Sequence, residues 1–141
     1  MTTSPAQIHT VYYDGVCPLC RSEMGVLMRN NDTGLLRFVD ISRPDFDAAA
    51  LGVTQAALMA RLHVQAPDGT WLIGVPAVRA AYAATGHHRV AALLAVPLLA
   101  RLAEPAYAWL ADHRYRLPHW LLKAARLHAS SCAPQGSCHA R

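Results

Sequence analysis

Apolar positions in the first 41 residues follow two different periods. Residues 8–13 are rich in β-branched and aromatic side chains, which predicts a short strand. From Cys17 onward the apolar residues Cys20, Met24, Leu27 and Met28 recur at helical spacing, which predicts a helix with one buried face. Residues 35–41 form a second apolar run, and we expect this strand to be buried on both faces.

The middle of the chain continues with a helix, a hairpin and a second helix. Thr54 is a typical N-cap for a short helix to about residue 60. The ranges 62–66 and 71–74 flank a Pro-Asp-Gly-Thr turn, which predicts a β-hairpin. Pro76 favours the start of a helix that ends before Gly86. This order of elements predicts an α/β fold with a thioredoxin-like central sheet and flanking helices.

Beyond residue 86 the pattern predicts an added C-terminal helical subdomain. It is helical to about residue 128, with breaks near Pro97 and Pro118 and a kink at Pro105. The expected divisions are a core at 1–86, a helical extension of the same domain at 87–128 and a loose cysteine-containing tail at 129–141. Four apolar positions of the extension are expected to be core residues, namely Trp109, Leu110, Trp120 and Leu121.

Charge is distributed unevenly between the two parts of the chain. The first 78 residues carry five arginines and seven acids, whereas residues 79–141 carry eight Lys and Arg against two acids. A basic and apolar second half suits an anionic membrane surface or an acidic partner. The favoured interpretation is a helical layer whose arginines stay in water, with contact to a membrane surface left open.

Neither a signal peptide nor an integral membrane segment is predicted. The first seven residues are polar, and the longest apolar run, Val90–Ala100, is about half the length that spans a bilayer. We therefore expect a cytoplasmic protein, in which structural disulfides are disfavoured. The four cysteines then indicate redox chemistry or metal binding.

Cys17 and Cys20 form a Cys-Pro-Leu-Cys motif between the first strand and the first helix. A thiol at a helix start lies among unsatisfied N–H groups and near the positive end of the helix dipole, which lowers its pKa. Cys17 is thus the candidate nucleophile. Cys20, one turn later on the buried face, is the candidate resolving thiol, protected from solvent.

Asp14 has two interpretations, which spacing does not separate. Its carboxylate could take the Cys20 proton during resolution, as a general base. It could equally form an Asx turn that fixes the loop before the helix.

The run from Tyr12 to Cys20, YYDGVCPLC, resembles the DCC family of predicted thiol–disulfide oxidoreductases. The resemblance extends over residues 8–120, through Arg37-Phe38-Val39-Asp40, the hairpin and Tyr115-Arg116. It implies a thioredoxin-like fold and a redox role for Asp14, Cys17 and Cys20. We expect a protein or low-molecular-weight thiol or disulfide as substrate, and neither nucleic acid nor a cofactor.

Thioredoxin-like proteins normally place a cis-proline opposite the dithiol, before the strand that opens the hairpin. That position lies near residues 59–61 and holds no proline. Pro76 is better explained as a helix start.

The alternative function is a metal-binding module. Cys17 and Cys20 together with the tail residues Cys132, Cys138 and His139 could supply a zinc site, although the tail spacing is poor for ligands. The favoured interpretation is that the tail cysteines are disordered or form a second dithiol that exchanges with the first. Five other histidines are expected to be solvated or partly packed, namely His87, His88, His113, His119 and His128.

Overall fold

The computed structural model describes residues 7–118 and 120–121. The described chain forms four strands and five α-helices, connected by loops and by a 3-10 turn at Ala49–Leu51. In chain order the elements are β1 His9–Tyr13, α1 Pro18–Arg29, β2 Leu36–Asp40, α2 Gln55–Ala60, β3 His63–Gln65, β4 Trp71–Ile73, α3 Val75–Ala84, α4 His88–Ala95 and α5 Pro97–His113.

The strands form one sheet in the order β2-β1-β3-β4. β1 runs parallel to β2 and antiparallel to β3, and β3 and β4 form the predicted antiparallel hairpin. In the two central strands Val11 lies opposite Val64, and on the other side it lies opposite Phe38. The predicted mixed α/β fold is confirmed, and its strand order is consistent with a thioredoxin-like arrangement.

The alternation of β1 divides the core into two clusters. Val11 and Val64 pack on one face of the sheet against Met24 and Leu27 of α1 and Ala77 of α3. The neighbouring residue of β1, Tyr12, faces the other way and packs with Ile41, Leu58 and the partly buried Phe46. Successive residues of a strand point to opposite faces, so β1 connects both clusters.

β2 differs from its prediction. Leu36 and Phe38 are buried, but Arg37 between them is exposed, so the expectation of burial on both faces was wrong. β2 is an edge strand, and on the face that carries Arg37 its next residue, Val39, is only partly buried against the second cluster.

Several local signals are confirmed. The Thr54 side chain accepts a hydrogen bond from Ala57 N at 3.1 Å, which satisfies one free N–H of α2. Pro76 lies in the first turn of α3, and Gly86, with φ of 82°, follows the end of that helix. No peptide bond among the described residues is cis, in agreement with the interpretation of Pro76 as a helix start.

The C-terminal helices differ most from expectation. α4 and α5 are bent by 97° at the break before Pro97, whereas Pro105 lies inside α5 without ending it. Neither helix contains a fully buried residue. Trp109 and Trp120 are 58% and 70% exposed, so their assignment to the core was wrong. Trp109 does not lie on the side of α5 that borders the cavity described below, and its ring stacks on His113 instead.

None of the described helices is by itself long and apolar enough to cross a membrane, and only the bent α4–α5 pair passes on length and composition.

Candidate active site

The loop before α1 is fixed by two aspartates at the ends of parallel strands. Val16 N donates to Asp14 Oδ1 at 3.0 Å, and this contact is the Asx turn. Gly15 N donates to Asp40 Oδ1 at 3.0 Å, and Asp40 is the last residue of β2. A Cβ on Gly15 would overlap the Asp40 carboxyl group, so a larger residue here would displace that group from its contact with Gly15 N.

Cys17 is the N-cap of α1. Its sulfur accepts a hydrogen bond from Cys20 N at 3.3 Å, in the way that a serine or aspartate oxygen caps a helix. Pro18, which has no N–H to leave unsatisfied, occupies the first turn. Cys17 Sγ therefore lies at the end of α1 that favours negative charge.

The pKa values of the two thiols are shifted in opposite directions. The pKa of the Cys17 thiol is lowered to about 7, chiefly by a hydrogen bond from the Cys20 thiol and further by Cys20 N–H and the Arg114 charge. Burial and the Asp14 charge act against this lowering. The pKa of Cys20 is raised, because its proton is shared with Cys17 and because the thiol is desolvated. Cys17 is thus the sulfur that ionises first.

The more acidic thiol, Cys17, is the less exposed of the two. Cys17 is 0% exposed, whereas Cys20 is only half-buried. The expectation that Cys20 is the shielded thiol was therefore wrong. Cys17 folds back over the first turn of α1, while Cys20 borders a cavity instead of a packed core.

Two residues at the end of α5 complete the site. Arg114 Nη2 lies 3.5 Å from Asp14 Oδ2, its Nη1 lies 3.9 Å from Cys20 Sγ, and it also donates to Met59 O. The Tyr115 hydroxyl donates to the same Asp14 oxygen. The sequence analysis missed Arg114 because it lies almost a hundred residues from the motif. The only available signal was the family-like Tyr115-Arg116 pair beside it.

Asp14 is almost completely buried and both of its oxygens are engaged. The Asx turn is present, so the structural interpretation of this residue has a geometric basis. The second oxygen is held by Tyr115 and Arg114, and Arg114 also contacts Cys20 Sγ. Its role as a proton acceptor stays a prediction.

The remaining candidate ligands are dispersed or lie outside the described residues. Within residues 7–118 and 120–121, no group of three or more His, Cys, Asp and Glu side chains is placed to hold a metal. His87 contacts Thr85 Oγ1 at 3.0 Å, and His113 contacts Trp109 O at 2.8 Å, so both are partly packed. Outside the described part of the chain lie Cys132, Cys138, His139, His119 and His128.

The sequence was compared with protein families, curated proteins and solved structures. The sequence model of the DCC1-like thiol-disulfide oxidoreductase family matches residues 11–120. An uncharacterized chloroplastic protein from Arabidopsis thaliana is 34% identical over 107 residues, which is 74% of this chain and 50% of that protein. The chain thus spans about half the length of this curated relative. No solved structure matches.

Proposed function

This chain belongs to the DCC1-like thiol-disulfide oxidoreductase family, and from that premise we propose that it transfers electrons between thiols and disulfides through Cys17 and Cys20. The observation that carries the proposal is the position of Cys17 as the N-cap of α1, next to Cys20. There its pKa is lowered to about 7, which supplies thiolate at neutral pH. A thiol with a pKa near the ambient pH is the best attacking group for disulfide exchange.

In the first step the Cys17 thiolate attacks one sulfur of a disulfide substrate. A Cys17–substrate disulfide forms, the substrate disulfide breaks, and the departing sulfur leaves as a thiolate that takes a proton from water. Access to Cys17 requires that the residues around it yield, because its side chain has no exposed surface.

In the second step Cys20 resolves the mixed disulfide. Cys20 must first lose its proton, and we assign Asp14 as the acceptor because its carboxylate borders the same cavity as Cys20. Arg114, at 3.9 Å from Cys20 Sγ, stabilises the emerging thiolate. Attack on Cys17 Sγ then releases the second substrate thiol and leaves a Cys17–Cys20 disulfide. The substrate gains two electrons, and an external dithiol reductant returns the protein to the starting state.

The test uses full-length protein in which Cys132 and Cys138 are replaced by Ser, so that only the proposed dithiol remains. Cys17→Ser is expected to abolish reduction of a small disulfide such as hydroxyethyl disulfide. Cys20→Ser is expected to stop after the first step and to accumulate a mixed disulfide on Cys17, detected by mass spectrometry. Accumulation on Cys20 in the Cys17→Ser variant, with an inactive Cys20→Ser variant, would reverse the roles.

The metal-binding alternative depends on Cys132, Cys138 and His139, which lie outside the described residues. Metal analysis of the anaerobically purified wild-type protein separates the two functions. Stoichiometric zinc, lost together with the tail cysteines, would favour the metal site over the exchange reaction.

A further inference from the structure

A cavity of about 330 Å³ lies beside Cys20, between α1, the end of β1, α3 and α5. Its volume is within the range of pockets that hold small ligands, roughly 300–1,000 Å³. Cys20, Asp14 and Arg114 border it and Cys17 does not, so it adjoins the proposed reaction centre on the side of the resolving thiol.

The walls of this cavity are mainly apolar. Its aliphatic lining includes Leu19, Leu27, Leu58, Leu62, Val78 and Leu110. Apolar cavities of this kind hold apolar groups in preference to water, and one of about 150 Å³ accommodates benzene. A cavity twice that size has room for an aromatic or branched aliphatic group with its connecting chain.

α5 forms one wall of the cavity, which stays partly open to solvent, and two polar contacts join α5 to the segment before β3. The Tyr107 hydroxyl accepts a hydrogen bond from Leu62 N at 2.8 Å, and Arg61 forms an ion pair with Asp112 at 2.8 Å. Between these contacts the small residue Ala111 faces the cavity and leaves it unfilled. The helix therefore spans an apolar space that its own side chains do not occupy.

We propose that this cavity is a specificity pocket for an apolar group carried by the disulfide substrate. The proposal rests on the exchange reaction described above. The substrate half that becomes linked to Cys17 keeps its apolar group in the cavity, and attack by Cys20 then releases that half as a thiol. The bonds made and broken and the electrons transferred are the same as in the two-step exchange. The pocket contributes binding energy and requires no further reactant.

Two mixed disulfides test the preference. Both carry glutathione on one side, and the other side is either benzyl mercaptan or 2-mercaptoethanol. Burial of the benzyl group is expected to raise kcat/KM roughly 10-fold to 100-fold over the hydroxyethyl compound. If neither compound is reduced, the proposed function fails. If both are reduced equally well, the function stands and the pocket proposal is wrong.

A matched pair of variants on α5 tests whether the preference for the benzyl compound arises in this cavity. Ala111→Phe places a ring in the cavity, and the ratio of the two kcat/KM values is expected to fall to near one. Ala106→Phe, an equal change on an exposed position of the same helix that does not line the cavity, is expected to retain the wild-type ratio. An unchanged ratio in Ala111→Phe, or an equal loss in Ala106→Phe, would overturn the assignment.

A binding measurement on the wild-type protein does not depend on whether Ala111→Phe folds. S-benzylglutathione, a thioether that cannot exchange, is expected to inhibit reduction of hydroxyethyl disulfide competitively. S-methylglutathione is expected to inhibit at least roughly 10-fold more weakly, because it buries far less apolar surface. Equal inhibition by the two thioethers would contradict an apolar pocket.

Discussion

Replacement of Arg114 by Gln removes the positive charge next to the dithiol and keeps a polar side chain of similar length. The Arg114 side chain is only 11% exposed, so water screens its charge weakly. An opposite charge within about 4–6 Å shifts a pKa by about 1–3 units. For Cys17 the Arg114 charge is a smaller influence than the two hydrogen bonds from Cys20, so we expect the low end of that range, about one unit.

The direction of the pKa shift depends on whether Arg114 stabilises the thiol or the thiolate of Cys17. Arg114 stabilises the thiolate, so its loss raises the Cys17 pKa, from about 7 in the wild type. The Asp14 charge, which opposes ionisation of Cys17, is then no longer balanced and acts in the same direction. With a rise of about one unit, the thiolate fraction at pH 7 falls from about one half to about one tenth. Because the intrinsic nucleophilicity of a thiolate rises about threefold for one unit of pKa, the rate of reaction at neutral pH is expected to fall only about twofold.

The assay is the pH dependence of thiolate absorbance at 240 nm, in protein that lacks the tail cysteines. Arg116→Gln is the matched control, because it removes the same charge from an exposed side chain two residues away. Arg114→Lys, which keeps the charge, is expected to recover most of the wild-type pKa. An unchanged curve for Arg114→Gln, or an equal shift for Arg116→Gln, would refute a specific effect of Arg114.

Two further substitutions test the loop that holds the motif. Asp14→Asn retains an acceptor for the Asx turn but cannot take a proton, so resolution of the Cys17 mixed disulfide should slow by about 10² or more, measured by quenched-flow mass spectrometry. The Cys17 pKa should fall slightly in the same variant, and unchanged resolution would leave Asp14 a turn residue only. Gly15→Ala places a Cβ against the Asp40 carboxyl group and should lower the free energy of unfolding in urea by about 1–3 kcal/mol. The cost should largely vanish in an Asp40→Ala background, and an equal cost there would show that another contact is responsible.

Local sequence signals predicted the local structure well. The strand before the motif, the Thr54 cap and the helix opened by Pro76 each depend on neighbouring residues, and each is confirmed. The position of Cys17 at the start of α1 was likewise readable from Pro18 and the helical spacing that follows.

Packing between distant segments could not be predicted from local sequence signals. Helical periodicity places Cys20 on the inner face of α1, but whether that face meets side chains or a cavity depends on α5. For the same reason the contact between Arg114 and Asp14 has no signal in either segment alone. Trp109 was predicted to be a core residue and is exposed. Helical periodicity identifies an apolar residue but does not show whether another element packs against it.

The weak packing of α5 has a consequence for kinetics. A helix without a fully buried residue can detach at a lower free energy than the central strands, through sub-global opening. Its amide hydrogens should then exchange with deuterium ahead of those of β1 and β3. Cys17 reacts only in conformations that uncover it, so its observed rate is the intrinsic rate of the thiolate multiplied by an opening constant. Detachment of α5 also withdraws Arg114, which follows that helix, from Cys20. The stability of the contacts that cover Cys17, together with the acidity of its sulfur, is therefore expected to set the rate of the proposed exchange.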